Sequence, residues 1–330
     1  MGKCLVTKLN GVINNDALLK IGELRFKVKK VDSPNKNSQE VSVSFVEGGK
    51  INIIGEGYFT DSTLTSNLGK SIEVSDSKEK KLYLSNGDYE VSIMDKYNLV
   101  SLNFTNTDVT NKEIDLDSFK HTNSLNYLYI YGIKVSGDIS VFQESKNLRQ
   151  ITIHDTSVTG DISVLGNLTA LNSVNLSNTS VTGDISVLGN LTALNNVNLS
   201  NTSVTGDISV LGNLTNLNED ILGFKVLNLV GDLAKLPAKT RWFSNFGGKS
   251  SFTWTSRPST STLFAIEAES ATVDNIDQML KDFAQCIAPS NLPEDAWYKT
   301  IKVKGNRTSA SDNAVTTLQQ KGYTVSITPA

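Results

Sequence analysis

The chain has 330 residues, a formal net charge of −3, and a composition that is 38% hydrophobic and 20% charged. That supplies a large core or two smaller ones and sets disorder aside. There is no basic footprint for nucleic acid, and two cysteines, Cys4 and Cys286, are too few for a disulfide framework or a cysteine zinc site.

The opening stretch, Met1-Gly-Lys-Cys-Leu-Val-Thr-Lys-Leu, lacks the apolar core of a signal peptide. Cys4 lacks the apolar run that precedes a lipoprotein cysteine, and Val6 stands where myristoylation wants Ser or Thr. No window reaches 18 apolar residues. The expectation is synthesis in a cytoplasm, with any export independent of an amino-terminal signal.

Residues 1–94 show no long period and read as a small β domain. Glu23–Val28, Glu40–Val46 and Lys50–Ile54 alternate as strands do. Lys81–Leu84 and Tyr89–Ile93 flank Asn86-Gly87, which predicts a hairpin.

Residues 95–251 repeat. Thr156–Asn178 reads TSVTGDISVLGNLTALNSVNLSN, and Thr179–Asn201 repeats it with one change, Ser173 to Asn196. A third copy begins at Thr202 and holds through Leu217. The period of 23 marks a solenoid of stacked coils. Each Leu-x-x-Val-x-Leu stretch, such as Leu171, Val174 and Leu176, predicts a short strand. Gly183 and Gly206 are read as turns, after which Ile185, Leu188 and Leu191 bring the chain back. Degenerate copies begin near Leu99 and Leu125, and after Leu217 the register slips by two toward Leu229, Gly231 and Leu233. One coil cannot bury its own apolar side, but stacked coils bury each other.

This pattern resembles the leucine-rich-repeat family. The resemblance implies an α/β repeat fold with a parallel sheet on the concave face. It also implies that Thr107, Thr156, Thr179 and Thr202, just after their strands, bond the backbone of adjacent coils, with Ile133 breaking the series. The Val-Thr-Gly-Asp-Ile-Ser segment is similar to the Leu-x-Gly-x-Ile-Pro type, with Ser for Pro. The family mostly binds other molecules, of very different kinds.

Residues 252–330 change period. Val273, Ile276, Met279, Leu280, Phe283, Ala284 and Ile287 follow helical spacing. Ser309 is placed to cap a second helix, Ala310–Lys321, with Gly322 as its stop. Tyr298–Val303 and Tyr323–Thr328 alternate as strands. The segment reads as strand–helix coils that cap the solenoid.

Catalytic signatures are missing. His121 and His154 lie in no metal pattern, there is no Gly-x-Ser-x-Gly elbow, and the Gly-Lys pairs at 49–50 and 69–70 lack the spaced glycine of a P-loop. Asp161, Asp184 and Asp207 are read as turn caps rather than a calcium ladder. No enzyme, cofactor or metal is expected.

The strand residues that point away from the core are the informative ones. On one coil they are Tyr127, Tyr129 and Tyr131, and on the next Gln150, Thr152 and His154. The strip is either a ligand platform or a surface packed under the amino-terminal domain or a neighbouring subunit. Trp242, Phe243, Phe246 and Trp254 are assigned to core at the register break.

Both ends also resemble virion proteins of tailed phages of gut bacteria, the crAss-like phages among them. The stretches are Met1–Leu9 through Glu23-Leu-Arg-Phe, and Lys304–Asp312 through Tyr323-Thr-Val. The resemblance implies a fibre or decoration protein, docked to other virion proteins through its amino-terminal domain. Its solenoid would then be offered to a host glycan or protein. A bacterial surface or secreted adhesin is the alternative. The oligomeric state, a homo-oligomer included, stays open.

Overall fold

The computed structural model describes residues 99–105, 113–131, 134–217, 229–245, 250–262, 264–288 and 299–330, and before residue 95 the backbone of eight strands. Those eight are β1 (Leu24–Val28), β2 (Gln39–Phe45), β3 (Gly49–Glu56), β4 (Tyr58–Asp61), β5 (Thr65–Asn67), β6 (Lys70–Val74), β7 (Lys80–Leu84) and β8 (Asp88–Met94). The expected hairpin across Asn86-Gly87 does not form. β7 pairs with β2 and β4, whereas β8 pairs with β1 and β3 in a different sheet. Long-range pairing overrides the local turn signal here.

The repeats form a leucine-rich-repeat solenoid. Its strands alternate between two parallel sheets. One sheet takes β9 (Leu99–Thr105), β11 (Tyr127–Ile130), β13 (Gln150–Ile153), β15 (Ser173–Asn175) and β17 (Asn196–Asn198). The other takes β10 (Glu113–Asp115), β12 (Lys134–Asp138), β14 (Ser157–Asp161), β16 (Ser180–Asp184), β18 (Ser203–Asp207) and β19 (Leu229–Asp232). The second sheet corrects the sequence reading of Gly183 and Gly206 as turns. Both glycines lie inside strands, paired to the neighbouring coil.

After each clean second-sheet strand comes a short 3-10 helix, such as Ile185–Asn190. It begins where Asp184 Oδ1 accepts a hydrogen bond from Ser186 N at 2.8 Å. Ile185 and Leu188, three apart, fall on one side of this tight helix and are fully buried. Together with Leu171, Val174, Leu176, Val181 and Leu191, all at 0% exposure, they build the interior of a coil. Burying one such leucine is worth about 1.5–3 kcal/mol against leaving it in water.

Both sheets continue into the flanking segments. β2 pairs antiparallel with β9, and β1 with β10, so strands before residue 95 extend each sheet at its first edge. Among the described residues, the other end extends only one. There β20 (Trp242–Ser244), β21 (Ser251–Thr253), β22 (Ala265–Val273), β23 (Thr300–Lys304) and β24 (Thr324–Thr328) join the larger, 15-stranded sheet. Among the described residues, two helices cover this part, α1 (Ile276–Gln285) and α2 (Asp312–Gln320). Val273 belongs to β22, and Ile287 lies beyond α1 at 58% exposure, so the first helix is shorter than its apolar spacing predicts. The cap near α2 is Thr308, whose side chain accepts from Ala310 N in a preceding 3-10 turn, rather than Ser309. Gly322, at φ +87°, ends α2 as expected.

Candidate recognition surface

β11 alternates as its sequence dictates. Leu128 and Ile130 point inward and are fully buried, which sends the side chains between and beside them to the outer face. Tyr127 and Tyr131 are 37% and 49% exposed, and Tyr129 between them is half-buried. The parallel register sets Tyr127 beside Gln150 and Tyr129 beside Thr152 on β13. On the other flank, Tyr127 pairs with Ser101 and Tyr129 with Asn103 on β9. All six residues singled out for this surface therefore share one face of adjoining strands. Burial raises the Tyr129 hydroxyl above its ordinary pKa, and Tyr127 beside it adds to the shift.

One end of the strip is clamped. The Tyr131 and His154 ring centroids are 4.9 Å apart, tilted by 38°. His154 Nδ1 is 2.5 Å from Asp155 Oδ2. Asp155 sits in the left-handed region at φ +57°, and its Oδ1 accepts a hydrogen bond from Asn178 Nδ2 at 2.6 Å. Asn178 Oδ1 in turn accepts from Asn201 Nδ2 at 2.5 Å. Asn178 and Asn201 also have positive φ, at 54° and 55°. The result is a ladder with the 23-residue period running along the rim of the face. Sequence reading passes over it, although a polar residue recurring before each Thr is the available signal.

Further along the face, Asn175 Oδ1 accepts from Ser177 N at 3.2 Å and from Ser177 Oγ at 2.8 Å. Asn198 Oδ1 accepts from Ser200 N at 3.1 Å. Both amide NH2 groups stay without a hydrogen-bond partner among the described residues, as do the side chains of Gln150 and Thr152.

The threonine slot works differently from the family expectation. Thr179 Oγ1 donates to Leu176 O at 2.6 Å and Thr202 Oγ1 to Leu199 O at 2.7 Å, three residues back in the same coil. They close their own turn rather than bridge to a neighbour, and the rim side-chain bonds between coils are made by the Asp155–Asn178–Asn201 ladder instead. Thr156 Oγ1 is buried without a hydrogen-bond partner among the described residues. Thr107 and Ile133 lie outside the described residues.

The repeated aspartates cap their turns. Asp161 accepts from Ser163 N at 2.7 Å and Asp207 from Ser209 N at 2.8 Å, as Asp184 does from Ser186. The backbone and side-chain hydrogen bonds from Ser186 hold the Asp184 carboxyl below its ordinary pKa. Among the described residues, no group of three or more His, Cys, Asp or Glu side chains is placed to hold a metal. Among them too, no helix is long and apolar enough to cross a membrane. Phe243 and Trp254 are fully buried in the carboxyl-terminal core, where Trp254 meets Phe283 edge-on at 4.8 Å. Phe246 lies outside the described residues.

No known protein-family profile matches the chain, and no curated protein matches it. Solved structures do. The ectodomain of the receptor kinase GASSHO1/SCHENGEN3 from Arabidopsis thaliana, in complex with Casparian strip integrity factor 2, is 17% identical with a TM-score of 0.40. That match covers 64% of this chain and 31% of the other. The Arabidopsis HAESA ectodomain, bound to an IDA peptide hormone, is 25% identical over 49% of this chain and 28% of its own, with a TM-score of 0.37. An internalin from Listeria monocytogenes is 18% identical over 72% of this chain and 85% of its own, with a TM-score of 0.38. The chain thus spans less than a third of either plant ectodomain.

Proposed function

We propose that this chain is a non-enzymatic attachment protein that grips its target through the tyrosine strip. The observation that carries the reading is the exposure of Tyr127 and Tyr131 on a strand whose alternate residues are fully buried. Large rings left in water next to unengaged amides and hydroxyls are suited to recognition, because aromatic anchors dominate binding energy. The likeness of both chain ends to virion proteins of tailed gut-bacterial phages supports a role on a phage particle, as a fibre or decoration protein. In this reading the strands before residue 95 dock to other virion proteins, and the solenoid meets the host surface.

Two measurements test this. Labelled protein is applied to a panel of gut-bacterial strains, with Tyr129→Ala beside wild type. Strain-selective binding that the variant loses supports the reading, and equal binding by both removes the strip from it. Antibody labelling of purified phage particles tests location. Decorated particles support a virion protein, whereas label confined to bacterial surfaces favours an adhesin.

A further inference from the structure

We infer that the ligand is a neutral oligosaccharide, an assignment that rests on the recognition role proposed above. The argument begins with charge. From β11 to β17 every outward strand position is Ser, Thr, Asn, Gln, His or Tyr. None is Lys, Arg, Asp or Glu, and none is aliphatic. This is unusual for a surface that spans four coils of a chain with 20% charged residues.

Each missing type excludes a ligand class. Acidic glycans and phosphates are held by Arg and Lys forks, and the face has none. Nucleic acid needs a basic stripe. Protein partners call for an apolar centre with arginine anchors, and here the aromatic rings have polar neighbours only. A neutral sugar matches what is present. Its ring has an apolar C–H face that lies on an aromatic side chain, and its hydroxyls both donate and accept. The amides of Gln150, Asn175 and Asn198 and the hydroxyl of Thr152 answer them, all with hydrogen-bonding capacity to spare.

Shape and stiffness agree. From Tyr127 to Tyr131 the strip runs about 13 Å by strand rise, long enough for several linked rings rather than one. The His154 clamp sets its far end. With Nδ1 held on Asp155, the imidazole is fixed in orientation, and the Asp155–Asn178 bond fixes the carboxylate that holds it. A preorganised site loses less entropy on binding.

The test is an array of neutral and acidic oligosaccharides with a peptide set beside it. It is probed with wild type, Tyr131→Ala and Tyr131→Phe, their folding checked by circular dichroism. The expected result is retention of neutral saccharides only. Affinity falls about tenfold in Tyr131→Ala, a change of about 1.4 kcal/mol, and stays close to wild type in Tyr131→Phe, which keeps the ring. Binding is also unchanged between about 0.05 and 0.5 M salt, since no charge pairs across the interface. Retention of acidic glycans or peptides alone, or of no saccharide at all, overturns the assignment. If strip variants still lose bacterial-cell binding in that case, attachment stands and only the ligand class falls. If the variants change nothing on cells or array, both readings fall.

Discussion

The Asp161 carboxylate fills the place where a side chain on Gly183, one coil further on, would begin. Its Cγ lies 2.9 Å from the point a β-carbon would occupy, and Gly183 has φ +112°, a conformation nearly closed to other residues. The same carboxylate caps the turn at Ser163 N. Turn cap and close approach are therefore one device, repeated at Asp138 with Gly160 and at Asp184 with Gly206. Gly183→Ala is expected to destabilise the protein by about 2–3 kcal/mol from backbone strain and crowding together. Adding Asp161→Gly relieves the crowding but not the strain. The double variant should thus lose less than the sum of the singles, measured by urea unfolding of all three.

Asn178 combines two roles that substitution can separate. It holds φ +54°, and it both donates to Asp155 and accepts from Asn201. Asn178→Gly keeps the backbone conformation at ease and loses the ladder bonds, whereas Asn178→Ala loses the bonds and strains the backbone. The alanine variant should be less stable than the glycine variant by about 1 kcal/mol, the usual cost of a left-handed non-glycine residue. Equal midpoints in a urea titration would show that the backbone conformation contributes nothing.

The acid response follows from Asp277. Burial pushes its carboxyl upward, but hydrogen bonds from Ser311 and Thr308, with help from Lys281, outweigh that and leave it below its ordinary pKa. A carboxylate with a lowered folded pKa binds protons more readily in the unfolded chain. Its stabilising effect is present above the unfolded value, about 3.9, and is lost as pH falls through the folded one. Melting temperature should therefore drop as pH falls below about 4, and Asp277→Asn should flatten that drop while lowering stability at neutral pH. Thermal melts of both proteins at about pH 5 and about pH 3, on either side of the unfolded value, check the sign.

What the sequence reveals follows the range of the forces involved. The buried positions of each coil can be read directly, because Leu171, Val174 and Leu176 recur with every copy and one copy cannot bury them alone. The tyrosine strip follows from strand alternation once Leu128 and Ile130 are placed inside. The second sheet does not follow. Ser180–Asp184 has one buried valine and a glycine, which reads as a turn, and only pairing with coils before and after makes it a strand. The Asn86-Gly87 hairpin fails for the same reason: a local turn preference loses to pairings across two sheets. The rim ladder needs positive φ at Asn178 and Asn201, which a polar side chain permits but does not announce.

Near-identity of the coils makes repeat number a variable. Removing residues 179–201 joins Asn178 to Thr202, the same Asn-Thr junction that follows each clean copy. Val181, Ile185 and Leu188 leave together and are replaced in contact by Val204, Ile208 and Leu211, all fully buried in their own coil. The shortened chain should fold as one unit. Its denaturant m-value should fall by about 7%, since 23 of 330 residues are lost and m scales with the surface exposed on unfolding. The deletion removes the Asn178–Asn201 rung but leaves the Asp155–Asn178 rung that steadies the His154 clamp. Affinity for a saccharide no longer than the tyrosine strip should therefore stay near that of wild type, because Tyr127 to His154 lie a full coil away from the cut. Reduced binding by a well-folded deletion would show instead that the ladder transmits order along the rim. Removing residues 156–178 gives a second chain that differs from the first at one position only, with the Asn196 side chain in place of Ser173 beside Gln150. Stability should match between the two deletions. A difference in affinity between them would mean that the bound saccharide extends past β13 onto that residue, and equal affinity would confine it to the strip.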